Sequence, residues 1–115
     1  MPRREINKLT PDMQTLYYRF ESKCKDAGLD FIVTCTTRTI EEQKQLVASG
    51  KSKTMNSKHF IGKAFDIAVM KNGKVSWVFS DYAPYGVIGE SIGLEWGGNW
   101  KRFKDGPHFQ LKEAV

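Results

Sequence analysis

The sequence predicts a single α+β domain, with a small, mainly antiparallel sheet and helices packed beside it. Three observations lead to this prediction. Apolar residues recur at helical spacing near the start of the chain, short β-branched and apolar runs follow, and an Asn-Gly turn signal joins two of these runs. The length of 115 residues, with 40% hydrophobic and 27% charged residues, is that of one globular domain.

The first helix is expected to begin after Thr10, a suitable N-cap, with Pro11 at its first position, and to end at Ala27-Gly28. One face of this helix carries the apolar residues Leu9, Met13, Leu16, Phe20 and Cys24. The segment 30–36 is rich in β-branched and apolar residues and is predicted to be a buried strand. We expect Cys24 and Cys35 to be buried thiols rather than a disulfide, since two cysteines are too few for a disulfide framework.

A second helix is predicted from a capping box with Thr39 at the N-cap and Glu42 at N3, and it should stop at Gly50. The polar segment 51–58 is expected to be a loop. Strands are then predicted over 64–70 and 75–79, with a hairpin turn at Asn72-Gly73 between them.

A third helix is predicted over about 82–92, with Ser80-Asp81 as its cap and Pro84 in its first turn. Two short strands, 94–96 and 108–111, would complete the sheet. A loop rich in glycine and tryptophan, 97–100, separates them.

The charge balance of 18 basic against 13 acidic residues, a net +5, favours an anionic partner such as nucleic acid, a membrane surface or a wall polymer. Solubility alone accounts for this charge equally well. No apolar run approaches the roughly 20 residues that a membrane span needs, and no apolar stretch follows the basic N-terminus. We therefore expect neither a stable membrane association nor a signal peptide.

The two histidines, His59 and His108, each lie near a carboxylate in the sequence. Asp66 follows His59 by seven residues, with Gly62 available for a bend between them, and Asp105 precedes His108 by three. Two imidazoles and one carboxylate are a common set of catalytic zinc ligands, with one coordination position left for water. Taken singly, either histidine is more simply explained as a structural residue.

The surroundings of Asp66 favour a functional role for this carboxylate. It lies inside an apolar strand, where a charge is costly unless it is paired, hydrogen-bonded or bound to a metal. Ala64 and Ala68 share its face of the strand, so this face is not strongly polar. The alternative is an aspartate on the solvated face of a half-exposed strand.

Three segments in combination resemble the M15 family of zinc peptidases, and together they cover roughly residues 30 to 111. They are Thr-Arg-Thr and Glu-Glu-Gln within 37–43, Ser-Lys-His through Gly, Ala and Asp within 57–66, and Glu-Trp-Gly-Gly-Asn-Trp through Asp-Gly-Pro-His-Phe-Gln within 95–110. The resemblance implies a Hedgehog/D-Ala-D-Ala-peptidase-like fold. The Gly-Gly-Asn-Trp and Pro-His-Phe-Gln details look most like the phage L-alanyl-D-glutamate endopeptidases, which are endolysins.

The resemblance implies a bound Zn2+ with His59, Asp66 and His108 as its ligands. Asp105 matches the general base, at a position where many relatives carry glutamate. Arg38 matches an arginine that stabilises the oxyanion or the substrate carbonyl.

Four further residues are expected near the substrate. Ser57 matches a polar residue that orients the substrate or the site. Glu95 is a second candidate for the base, and alternatively a structural or substrate-facing carboxylate. Trp96 and Trp100 would wall the groove, although core packing explains them equally well.

The function implied is a zinc-dependent peptidoglycan endopeptidase that hydrolyses the L-Ala-D-Glu bond of stem peptides during lysis by a phage. We expect a monomeric catalytic domain over 1–115, without a separate wall-binding domain and without nucleic acid as a partner. It would start in the host cytoplasm and reach the wall with the help of a holin-type partner. The alternatives are a D-Ala-D-Ala carboxypeptidase or dipeptidase of the same family, and a non-catalytic module that binds an anionic polymer.

Overall fold

The computed structural model describes residues 5–37, 44–45, 47–50, 62–101 and 104–112. Two complete α-helices and five strands carry the fold in this part of the chain, which confirms the α+β prediction. In chain order they are α1 (Pro11–Asp26), β1 (Asp30–Cys35), β2 (Ala64–Lys71), β3 (Lys74–Ser76), α2 (Ala83–Ser91), β4 (Leu94–Trp96) and β5 (His108–Leu111). Short 3-10 turns span Ile6–Lys8, Phe79–Tyr82 and Gly97–Asn99.

The second predicted helix is described only near its end. Residues 44–45 and 47–48 are helical, and Gly50 follows with a positive φ of 78°, as expected for the residue after a helix. The capping box at 39–42 and the predicted loop 51–58 lie outside the described residues.

The strands form an antiparallel sheet with the order β1-β2-β5-β4, and β3 pairs with the far end of β2. One edge of β2 is therefore divided between two partners. β5 pairs with it from Ala64 to Asp66, and β3 pairs with it from Val69 to Lys71. Between them, the Ile67 N–H donates to the Pro107 carbonyl oxygen at 2.9 Å, and the Val69 N–H donates to the Tyr82 hydroxyl at 3.2 Å.

This division explains why the predicted strand over 75–79 was too long. β3 ends at Ser76 because Tyr82, Pro107 and β5 already occupy the positions along β2 that its continuation would need. The hairpin turn itself is confirmed. Asn72 and Gly73 both have positive φ, 54° and 77°, as a type I′ turn requires.

The hydrophobic core lies between one face of the sheet and the two helices. From β2 it takes alternate residues, Phe65, Ile67 and Val69, and the ring of Phe20 in α1 packs 5.5 Å from that of Phe65. The buried residues of α1 are Met13, Tyr17, Phe20 and Cys24. The predicted helix face is therefore confirmed except that Tyr17, and not the partly buried Leu16, fills its middle. Both cysteines are buried thiols, as expected.

The predicted cap of the third helix was wrong. α2 begins at Ala83 with Pro84 in its first turn, and no side chain caps it. Asp81 instead accepts hydrogen bonds from the Ser76 hydroxyl and, at 3.2 Å, from the Lys71 ammonium group. It thus ties the β2–β3 hairpin to the 3-10 turn before α2. Among the described residues, no helix combines the length and apolar character of a membrane span.

Candidate metal centre

The sheet face that points away from the core carries the candidate site. Asp66 in β2 lies directly opposite His108 in β5. Their strand neighbours Phe65 and Phe109 are buried in the core, so alternation places Asp66 and His108 together on the other face. Asp66 shares this face with Ala64 and Ala68, as the sequence predicted.

Asp66, Asp105 and His108 converge at one point. Nδ1 of His108 lies 3.0 Å from Oδ1 of Asp66. With an oxygen of Asp105, the three potential ligand atoms all lie within 4.8 Å of one another. The side chains are well shielded from water, 8% exposed for His108 and 14% for Asp66. Nitrogen and oxygen donors at this spacing suit a zinc ion.

Backbone hydrogen bonds hold Asp105 beside the strand pair. Its N–H donates to the Gly97 carbonyl oxygen at 3.0 Å, and its own carbonyl oxygen accepts from the His108 N–H at 3.2 Å. Gly97 is required here, because a Cβ at this position would overlap the Asp105 carbonyl oxygen. The close approach of two backbone segments therefore brings Asp105 to the site.

The second ring nitrogen of His108, Nε2, faces Gln110, which connects it to Glu95 and Trp100. Nε2 of His108 lies 2.9 Å from Oε1 of Gln110, and the Gln110 amide group donates to Oε2 of Glu95 at 2.8 Å. The Trp100 indole N–H donates to the same oxygen at 3.1 Å, while its ring lies 5.2 Å from the His108 ring. The sequence interpretation missed Gln110 as a site residue. Its position two residues after His108 in a strand, and hence on the same face, was the available signal.

His108 is a buried histidine whose environment favours positive charge. Burial by itself lowers the pKa of His108. The hydrogen bond and negative charge of Asp66 outweigh that effect, with further contributions from Asp105 and Gln110, so the pKa lies above its ordinary value. The negative charge that favours a proton on His108 would also favour a metal cation at this place.

Trp96 and Trp100, the two tryptophans expected near the substrate, lie on opposite sides of the sheet. Trp96 is only 6% exposed and belongs to the hydrophobic core, where its indole N–H donates to the Gly106 carbonyl oxygen at 2.7 Å. Core packing, one of the two roles considered for it, is thus observed, whereas contact with substrate stays a prediction. Trp100 is half-buried beside His108, and its contact with substrate stays a prediction.

Arg38, Ser57 and His59 lie outside the described residues, and their roles stay predictions. Gly62, which was expected to allow a bend between His59 and Asp66, lies within the described residues. Its φ is 70°, and an added Cβ would lie 2.8 Å from the Lys8 carbonyl oxygen. Glycine is therefore needed at this position both for its backbone conformation and for the close approach to the N-terminal segment.

The chain is similar to known peptidases in sequence and in fold. The sequence profile of a peptidase M15 family, described as D-alanyl-D-alanine carboxypeptidase, matches residues 50–111. The chain is 35% identical over 109 residues to the L-alanyl-D-glutamate peptidase of Listeria phage A118, a match to 92% of this chain. It is 34% identical over 103 residues to the peptidoglycan L-alanyl-D-glutamate endopeptidase CwlK of Bacillus subtilis (strain 168), a match to 73% of this chain.

The chain spans 39% of the length of the phage relative and 62% of that of CwlK. The chain covers a larger share of one solved structure. The crystal structure of the Serratia marcescens L-Ala D-Glu endopeptidase ChiX superposes with a TM-score of 0.82 at 33% sequence identity. This match covers 93% of the present chain and 83% of ChiX.

Proposed function

The chain belongs to the M15 family of peptidases, and we propose that it is a zinc-dependent peptidoglycan endopeptidase that hydrolyses the L-Ala-D-Glu bond of stem peptides. The observation that carries this proposal is the convergence of Asp66, Asp105 and His108 on one face of the sheet. These are the positions at which the sequence matches two metal ligands and the general base of the family. The relatives named for L-Ala-D-Glu cleavage support the choice of bond.

The metal site would consist of His59, Asp66 and His108. The nitrogen and oxygen donors of the two described ligands already lie 3.0 Å apart, and their set suits zinc. Zinc bound there would supply Lewis acidity and an acidified water at neutral pH.

Asp105 is proposed as the general base. Its carboxylate lies within 4.8 Å of the ligand atoms of Asp66 and His108, close enough to accept a proton from a water beside them. It would then deliver that proton to the departing amine of D-Glu. Arg38, which is always charged, would stabilise the negative charge that develops on the scissile carbonyl oxygen.

Three residues are proposed to contact the substrate or to support its groove. Trp100 lies beside His108 and offers an aromatic surface to the stem peptide. Ser57 would orient the peptide. Trp96 would support the groove from within the core, because its indole N–H holds the Gly106 carbonyl next to Asp105.

The setting we propose is host lysis by a phage, in keeping with the phage relative. The protein would act as a monomeric catalytic domain, start in the host cytoplasm and reach the wall once a holin-type partner has opened the membrane. Peptidoglycan would be its substrate, and nucleic acid would not be a partner.

A second candidate function is D-Ala-D-Ala carboxypeptidase activity, because the matching family profile carries that description. The same metal centre would serve both reactions, and only the bond presented to it would differ. Release of D-Ala without cleavage inside the stem peptide would favour this candidate.

The proposal is tested by clearing of purified peptidoglycan. Clearing should stop when a chelator removes the metal and resume when zinc is restored. His59→Ala and Asp66→Asn should both abolish it. A non-catalytic binding module would instead remain bound to the wall in chelator and release no peptide.

A further inference from the structure

Glu95, Gln110 and His108 form a continuous chain of hydrogen bonds on the site face of the sheet. We propose that Glu95 and Gln110 are positioning residues, which fix the tautomer of His108 so that Nδ1 is the nitrogen left to ligate the metal. This inference rests on the proposed metal site. It gives Glu95 a role that is neither the general base nor a contact to substrate.

The direction of every hydrogen bond follows from the chemistry of Glu95. A carboxylate only accepts, so the Gln110 atom that lies 2.8 Å from it must be the amide nitrogen. The Gln110 carbonyl oxygen must then face His108, 2.9 Å from Nε2. An amide oxygen only accepts, and therefore Nε2 of His108 carries a hydrogen.

The other ring nitrogen is thereby defined. When neutral His108 carries its hydrogen on Nε2, Nδ1 carries the lone pair, and it lies 3.0 Å from a carboxylate oxygen of Asp66. Two acceptors at this distance repel each other unless a proton or a cation lies between them. The hydrogen-bond chain therefore prepares His108 and Asp66 to share a metal ion, since the nitrogen that faces a ligand is set by the bond that the other nitrogen makes.

The strand register holds the hydrogen-bonded side chains of Glu95, Gln110 and His108 in place. Glu95 and Gln110 are direct cross-strand partners in β4 and β5, and Gln110 and His108 are two apart on one face. The Trp100 indole N–H donates to the same Glu95 oxygen as Gln110 and restrains the carboxylate from a second direction. On its other side, Gln110 pairs with Ala64 of β2, whose small side chain leaves room for the amide.

The experiment measures the zinc affinity of the full chain by competition with a chromophoric chelator. Glu95→Gln should weaken zinc binding by about 10–100-fold, since an amide at position 95 can donate and lets the Gln110 amide reverse. The matched control is Glu90→Gln, the same chemical change at a carboxylate that holds the Trp96 N–H and the Asn99 side chain but does not reach His108. It should leave the affinity unchanged.

The exchanged pair, Glu95→Gln with Gln110→Glu, should restore most of the affinity. An acceptor, now the carboxylate at position 110, again faces Nε2 of His108, and the amide at position 95 donates a hydrogen bond to that carboxylate. Equal weakening by Glu95→Gln and Glu90→Gln would overturn the inference in favour of general destabilisation. No weakening by Glu95→Gln, or no recovery in the exchanged pair, would also overturn it.

A second readout needs neither metal nor substrate. Long-range ¹H–¹⁵N spectra of the zinc-free protein, at a pH where His108 is neutral, should show a population protonated on Nε2, which Gln110 stabilises against the pull of Asp66 on a hydrogen at Nδ1. In Glu95→Gln the population protonated on Nδ1 should rise. An unchanged tautomer would refute the positioning role even in a protein that cleaves peptidoglycan, and the expected change would support it even if the proposed peptidase activity were absent.

Discussion

His108 is enclosed by protein, yet both of its ring nitrogens meet polar partners. Asp66 lies on one side and Gln110 on the other, and the raised pKa of His108 reflects mainly the carboxylate, which outweighs the effect of burial. A metal ion must displace the proton that this environment favours. Zinc binding to the site should therefore release protons and strengthen as the pH rises towards the pKa of His108.

Asp105 is the residue for which the proposed chemistry makes the sharpest prediction. Asp105→Asn should lower the rate of peptide hydrolysis by about 10²–10⁴-fold, because the amide cannot accept the water proton. Zinc content, measured by mass spectrometry of the metal, should stay at one per chain because the ligands remain. The matched control is Asp26→Asn, at an exposed carboxylate at the end of α1. Loss of zinc in Asp105→Asn would instead make Asp105 a ligand.

Some residues of the candidate site could be identified from the sequence, and one could not. Asp66 was found because it is a carboxylate inside an apolar strand, and strand alternation then placed it with Ala64 and Ala68. His108 was found because it is one of only two histidines and each lies near a carboxylate in the sequence. Gln110 was missed because its role depends on Glu95, a residue 15 positions away that becomes its neighbour only through the pairing of β4 with β5. Long-range register of this kind is not encoded in local periodicity.

At the scale of the elements, β2 organises both the core and the site. Its alternate side chains enter the core or face the candidate metal centre, and its edge is divided between β5 and β3. The Tyr82 hydroxyl fills the gap between these partners. It accepts from the Val69 N–H at 3.2 Å and donates to the Ser76 carbonyl oxygen at 2.7 Å.

Tyr82→Phe should therefore destabilise the protein by about 1–3 kcal/mol, since it leaves the buried Val69 N–H and one carbonyl oxygen without their partner. Urea denaturation would measure this change. The control is Tyr18→Phe, which removes a hydroxyl from a side chain that is 54% exposed and should change the stability little. If both variants are equally stable, the hydroxyl of Tyr82 does not hold this edge.

The boundaries of the elements were predictable where a local signal sets them. The Asn-Gly turn, Pro11 and Pro84 all lie where their backbone preferences require. The end of β3 was not predictable, because competition for one edge of β2 terminates it and nothing in its own sequence does. Likewise, Asp81 resembled a helix cap, but the nearby Ser76 hydroxyl and Lys71 ammonium group engage its carboxylate.

At the scale of the whole molecule, the net charge of +5 suits an anionic wall polymer. If this charge draws the protein to the wall, clearing of intact cell walls should weaken as salt is raised, since salt screens charges that are separated by more than about 8–10 Å at physiological ionic strength. Cleavage of a small, soluble stem peptide serves as the control and should depend less on salt. Equal salt dependence of the two reactions would place the effect at the catalytic site.

The central claim is that the centre formed by Asp66, Asp105 and His108 hydrolyses the bond between L-Ala and D-Glu. Mass spectrometry of the fragments from digested, purified peptidoglycan tests it most directly. We predict new L-Ala carboxyl ends on the glycan-linked fragments and new D-Glu amino ends on the released peptides, both absent when the protein carries Asp105→Asn. Release of D-Ala alone, or cleavage at any other bond, would contradict the account.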